Sequence, residues 1–340
     1  MNNIRLKWVD ALKFLGIVAI YIGHLGAGAG KLYPFVFSYH VPLFFFIAGF
    51  FSKDLKGVPY HVFFIDKAKR LLLPYFSFSF ILLIINSINT GANFQSLWQP
   101  ILDIIYGVRN NPFVGTIWFI NCLFVIIVID GVFLKLIHNN RLILLISISF
   151  FVFSQTFLGH NPLIQPKWFW NIDSAISYWW LMALGRCMFK GLCDSRFFGK
   201  TFLGVSTFLA LSAVTAYQLF NSRSLLGDIV INLIPSLSQS VLFGITNTLL
   251  TTTWLIFFNV FIAKIVCNCS FINQAGMNTL NICGLENITK LFIPSALAVL
   301  GLNFGIPTPA AAIVYTLACL YVSNKIGQWL SDYIGKPFKI

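Results

Sequence analysis

Charge is what this sequence has least of. Only 10% of its 340 residues are Asp, Glu, Lys or Arg, while 58% are apolar, and the mean hydropathy is +0.81. Soluble domains are about one quarter charged, so a chain this apolar lacks the polar surface to stay in solution. Acidic residues are scarcer than basic ones, 10 against 23, which leaves a net charge of +13. In a soluble protein that excess would point to nucleic acid; here it reads as asymmetry between loops. No loop between apolar runs exceeds about 30 residues, too few for an appended soluble domain. There is no low-complexity tract and no clear internal repeat. Alternation of apolar and polar residues is missing too, as in LLLPYFSFSFILLIIN (71–86), which excludes a transmembrane β-barrel. The seven cysteines (122, 187, 193, 267, 269, 283 and 319) are scattered. Cys267 and Cys269 lack the spacing and second ligand pair of a zinc site, so small apolar or cytosolic thiols are expected, with no metal. No cleavable signal peptide is evident: the apolar run beginning near Leu12 holds polar landmarks and reads as the first membrane helix.

What is present is a series of apolar runs of about 16–22 residues, the length that crosses a ~30 Å hydrocarbon core as a helix. Ten candidate spans lie near 9–28, 36–52, 71–88, 114–134, 142–158, 172–190, 200–220, 239–263, 288–303 and 308–328. The ninth is short and carries Pro294, and 224–238 reads as either a re-entrant segment or a surface helix. The expected fold is all-α, a polytopic membrane bundle of about ten transmembrane helices in a single 1–340 domain. Ten is even, so both termini share a side. With that side cytoplasmic, 19 basic residues lie inside, and Lys31, Arg109, Lys167 and Arg223 make the 4 outside. By the positive-inside rule both termini are expected in the cytoplasm.

Ionisable residues inside a span need a partner or a water-filled cavity and therefore point to function. The first span, WVDALKFLGIVAIYIGHLG (8–26), carries Asp10, Lys13 and His24. At 100° per residue, Lys13 and His24 fall about 20° apart around the helix, and Asp10 roughly 40° from His24, so all three share one face. Lys13 sits near the cytoplasmic end and His24 ~16 Å away in the outer half. The plain alternative is an interfacial Asp10–Lys13 pair and a capped interfacial histidine. His40 opens the second span just ahead of Pro42, and proline is favoured in a helix's first turn, which sets His40 at the level of His24. Lys67 and Arg70 are one turn apart at the mouth of the third span, either ordinary flanking charges or a holder for a phosphate-bearing ligand. Asp130 needs a cation, for which Arg70 and Lys135 are the candidates. Arg186 belongs to the cytoplasmic mouth or merely snorkels. His61, His138 and His160 read as solvated or interfacial.

Together these segments resemble the acyltransferase-3 family of bacterial integral membrane acyltransferases, in particular its fucose 4-O-acetylase-like branch. Asp10, Lys13 and His24 match the first-helix pattern of Asp, a basic residue, ten residues, then His. YHVPLFFFIAGF (39–50) matches the second helix, with His40 on the family histidine. Lys67, Lys69 and Arg70 precede LLLPY (71–75) as the third-helix basic motif does, and IWFINCLF (117–124), with Trp118 and Phe119, matches the element opening the fourth. The matches concentrate in the motif-rich residues 1–125. Beyond them, GMNTLNICGLE (276–286) is the nearest match to a later segment, and Glu286 stands where a histidine is usual.

The resemblance implies transfer of an acyl group, usually acetyl from acetyl-CoA, to a sugar hydroxyl of a surface glycan or its lipid-linked precursor. The setting would be the bacterial inner membrane, with no tightly bound cofactor and no nucleic acid. The expected catalytic residues are His24, as general base, and His40, which could assist His24, orient the acceptor or stabilise an oxyanion. Lys13, Lys67 and Arg70 would receive the donor's phosphates, and Asp10 and Trp118 would support the site, Trp118 as a sugar-stacking platform or an interfacial anchor. The rival from another class is a transporter or flippase for a lipid-linked glycan, although transporters more often show paired halves with interrupted helices. A glycan polymerase would need long extracytoplasmic loops.

Overall fold

The protein is described by a computed structural model. The described residues are 5–52, 55, 57–91, 94–111, 114–194, 205, 208, 209, 212, 241–301, 305, 306 and 308–333. Among them every regular element is helical. The helices are α1 (Lys7–Gly23), α2 (Leu32–Phe37), α3 (His40–Phe50), α4 (Tyr60–Thr90), α5 (Trp98–Tyr106), α6 (Trp118–Leu136), α7 (Asn140–Phe157), α8 (Ile172–Cys193), α9 (Val241–Val266), α10 (Ser270–Met277), α11 (Thr279–Gly284), α12 (Glu286–Val299) and α13 (Pro309–Tyr333).

Among the described residues, six stretches are long and apolar enough to cross a membrane: Leu32–Phe50, Tyr60–Ile88, Gly115–Leu136, Asn140–Phe157, Thr248–Val266 and Pro309–Trp329. They coincide with six of the ten expected spans. Of the remaining four, α1 has 17 residues and includes Asp10 and Lys13, and α12 has 14 residues with Pro294 inside. α8 is long enough at 22 residues but carries Asp173, Ser174, Ser177 and Arg186. The span expected at 200–220 and the stretch 224–238 lie outside the described residues, apart from isolated positions in the first.

Local chemistry sets several boundaries. The Asn139 side chain accepts from the backbone N–H groups of Arg141 and Leu142 and caps α7. Thr308 accepts from the Ala311 N–H at 3.2 Å ahead of Pro309, pairing a capping hydroxyl with a proline at the first helical position. α4 begins eleven residues before the expected span and runs through Pro74 for 31 residues. Lys67 and Arg70 thus stand well inside a helix rather than at its mouth.

The chain divides into two compact units. One comprises Met1–Ile47, Met188–Ile282 and Ile293–Lys325; the other comprises Ala48–Cys187, Cys283–Phe292 and Ile326–Ile340. In the first, α1 packs on α2, α9 and α10, around a cluster of Ala19, Ile22, Ala29, Val36, Tyr39, Leu255 and Ala312. Lipid is as apolar as these side chains, so close backbone approach and hydrogen bonds contribute much of the association. Gly276 shows the first: a methyl group there would run into the backbone carbonyl of Asp10. Tyr21 shows the second, its hydroxyl donating to the Ile282 carbonyl at 2.8 Å and accepting from Ser323 Oγ at 2.9 Å. In the second unit α6 packs on α4 and α7. Gly49 lets the end of α3 lie against the α8 backbone at Met182 and Arg186, and Phe133, Phe150 and Trp179 form an aromatic layer with ring centroids 4.6–6.3 Å apart.

Candidate functional site

The first unit holds both histidines singled out in the sequence, and it brings them together. α1 is continuous over Lys7–Gly23, and His24 is its C-cap, with its backbone N–H bonded to the Ile20 carbonyl. The chain then turns through Gly26–Ala29 and α2 and delivers His40 as the first residue of α3, with Pro42 in its first turn. The two imidazole rings meet edge to face, 6.4 Å between centroids at 88°. The His24 ring is exposed, whereas His40 is buried at 4%. Phe37 packs on His40 at 4.6 Å, and His40 Nδ1 donates to the Val36 carbonyl at 2.8 Å. One ring is thus exposed beside one that is buried and held in place.

At the other end of α1, Asp10 is buried at 5%. Its carboxylate takes the side-on fork of Arg5, with Nε at 2.6 Å and Nη2 at 3.2 Å, and Lys13 stands 3.9 Å away. The hydrogen bond to Asp10 holds the Arg5 guanidinium above its ordinary value, opposed by burial and aided by the carboxylate's charge. Two cations against one carboxylate leave this end of α1 positive. Arg5 was not legible as a partner: it precedes the helix, and only the turn into α1 folds it back on Asp10. Continuity of α1 preserves the ~16 Å offset between Lys13 and His24.

The second unit holds the other expected site residues. Lys67 and Arg70 both pair with Asp66, at 3.6 and 2.9 Å, on an exposed face of α4. Trp118 is 5% exposed, and the Arg109 guanidinium lies over its ring at 4.6 Å, a cation–π contact. Asp130 is paired with neither Arg70 nor Lys135. Its partners are Arg186, Ser52 Oγ at 3.2 Å and the Trp179 indole N–H at 2.9 Å. Sequence distance hid this, because α6 and α8 meet only through tertiary packing. Arg186 therefore does not snorkel.

His160 also departs from expectation. Its side chain is 9% exposed, and Nε2 lies 2.8 Å from Asp173 Oδ2. Asp173 further accepts from the backbone N–H groups of Lys167, Trp168 and Ser174. Nearby, buried Asn171 accepts from the Arg109 N–H at 2.7 Å and donates to Gly107 O and Asn121 Oδ1. His61 and His138 are exposed, as expected. Glu286 is buried and pairs with Lys290 at 2.5 Å, so the residue standing where a histidine is usual is held as an ion pair.

No curated protein and no solved structure shows a significant match to the chain. A family profile described as an acyltransferase domain matches residues 6–336. That stretch takes in nearly all of both units, with the paired histidines, Asp10 and Lys13, and the chain belongs to the acyltransferase-3 family of integral membrane acyltransferases.

Proposed function

We propose that this acyltransferase moves an acetyl group from acetyl-CoA to a sugar hydroxyl of a bacterial surface glycan or its lipid-linked precursor, as in the fucose 4-O-acetylase-like branch. The observation that supports it most is the contact between His24 and His40 at one end of α1, with Asp10 and Lys13 at the other. A sugar hydroxyl is a poor nucleophile at neutral pH, because its pKa lies far above 7, and histidine is the side chain suited to take its proton there. His24 removes that proton as the hydroxyl oxygen bonds to the thioester carbonyl carbon. The tetrahedral oxyanion then collapses, the carbon–sulfur bond breaks, and the CoA thiolate leaves and takes up the proton. His40 assists His24, orients the acceptor or stabilises the oxyanion.

Lys13 is assigned to the donor's phosphates, and the pantetheine arm is long enough for the ~16 Å rise from Lys13 to His24; Lys67 and Arg70 on α4 are candidates for a phosphate-bearing ligand in the second unit. The charge-based topology has both termini in the cytoplasm, so the donor arrives from inside and the acceptor is met toward the outer face. Family membership favours this reading over a transporter.

The test is transfer of label from acetyl-CoA to glycan in membranes carrying the wild-type or His24→Ala protein. Transfer abolished at unchanged expression is expected, and full acetylation by His24→Ala overturns the assignment. Glycan movement without acetylation would favour the transporter.

A further inference from the structure

Arg186 is the best-placed charge in the second unit that the proposed chemistry does not use. Its side chain is only 7% exposed. Nη1 donates to Asp130 Oδ2 and, at 3.1 Å, to Ser52 Oγ. The remaining two nitrogens, Nε and Nη2, are shielded from solvent and have no hydrogen-bond partner among the described residues. They are not a random pair. Nε–H and Nη2–H project from the same edge of the guanidinium, the side-on fork whose spacing matches two oxygens of one oxyanion. Arg5 uses this same edge on Asp10. A buried N–H left unmade carries its full desolvation penalty, and two on one edge ask for a single bidentate acceptor.

The surroundings keep that edge set. Asp130 is fully buried and accepts from Trp179, Ser52 and Arg186 together, so the guanidinium is gripped at Nη1. Gly49 brings the α3 backbone against α8 at Arg186 itself. Ser52, Asp130 and Arg186 stand after or near the C-terminal ends of α3, α6 and α8, and the charge-based topology assigns all three ends to the cytoplasm.

We infer that the Nε–Nη2 edge of Arg186 binds a phosphoryl group, with Asp130 and Ser52 as positioning residues. The phosphate-bearing end of the acyl donor is the intended occupant, an identification that rests on the function proposed above; the same chemistry is offered by an anionic phospholipid headgroup. Because the edge is shielded, occupancy requires neighbouring side chains to part, and the bound phosphate then meets donors undamped by water.

The experiment measures ligand-induced shifts in thermal midpoint of the full chain purified in detergent, titrated separately with CoA and with phosphatidylglycerol. Wild type, Arg186→Lys and Arg186→Gln are compared. CoA should raise the midpoint of wild type, and both variants should weaken CoA at least ten-fold, since lysine keeps the charge and loses the fork. If phosphatidylglycerol and not CoA shows the Arg186 dependence, the phosphoryl site stands with lipid as its source. Binding of neither ligand by wild type, or unchanged affinities in both variants, overturns the inference. Should Arg186→Gln fail to fold, Arg186→Gln combined with Asp130→Asn leaves no unpaired buried carboxylate and is read the same way. Acyl transfer is assayed apart: absent transfer with intact Arg186-dependent CoA binding counts against the acceptor reading and leaves this site standing.

Discussion

His40 Nδ1 lies 2.8 Å from the carbonyl oxygen of Val36, one helical turn back in the sequence. A carbonyl oxygen only accepts, so Nδ1 carries the hydrogen. The neutral ring then holds its lone pair at Nε2, and a second proton can be taken only there. The sequence placed His40 beside His24; this hydrogen bond decides which nitrogen can exchange a proton.

That tautomer makes His40→Asn informative. The asparagine amide nitrogen can still donate to Val36, but no atom replaces Nε2. Acyl transfer is expected to fall about a hundred-fold or more, the range for losing a group that assists proton transfer or stabilises an oxyanion, at unchanged expression. Near wild-type transfer would reduce His40 to a packing residue.

Gly276→Ala probes the contact of α10 with the start of α1. The added methyl meets the Asp10 backbone carbonyl, which cannot swing aside as a side chain could. A loss of about 1–3 kcal/mol or more is expected, read as a lower thermal midpoint in detergent. An unchanged midpoint would mean that the two backbones do not approach this closely.

Asp173 and His160 should differ in cost. Asp173→Ala removes the acceptor of the Lys167, Trp168 and Ser174 N–H groups as well as of His160 Nε2; Ser174 is buried and its unmet N–H costs about 1–3 kcal/mol, while Lys167 and Trp168 are exposed and lose less. His160→Ala removes one donor and leaves the carboxylate its three backbone partners. The midpoint should fall further for Asp173→Ala, and the reverse order would show that His160 anchors this loop by packing.

Asn171 adopts φ +56° and follows Trp170 at φ +51°. Asparagine tolerates the left-handed region because its short polar side chain bonds locally, and here it bonds Arg109, Gly107 and Asn121. Glycine and alanine both lose those bonds, but alanine also carries the left-handed penalty. Asn171→Gly is expected to be more stable than Asn171→Ala by about 1 kcal/mol, measured by chemical or thermal unfolding.

Much of the protein was legible because its signals are local. Apolar runs of membrane length, the spacing of Asp10, Lys13 and His24 on one helix face, and His40 ahead of Pro42 are properties of consecutive residues, and helix geometry carries them directly into the structure. The count of ten spans rested on apolarity, yet α1 and α8 trade apolar residues for Asp10, Lys13, Asp173 and Arg186, so composition alone ranks them below the six clear spans.

By itself, then, the sequence determined a helical membrane protein with two histidines near one end of α1 and positive charge near the other. Tertiary structure alone decided the partners of the buried charges: Arg5 for Asp10, Arg186 rather than Arg70 or Lys135 for Asp130, and Asp173 for His160. The physical reason is that a charge's partner is chosen in space. A buried charge pairs with whichever opposite charge folding brings within hydrogen-bond reach: for Asp130 that neighbour is set by the packing of α6 on α8, and for Asp10 and Asp173 by the turn and the loop that bring Arg5 and His160 back to them.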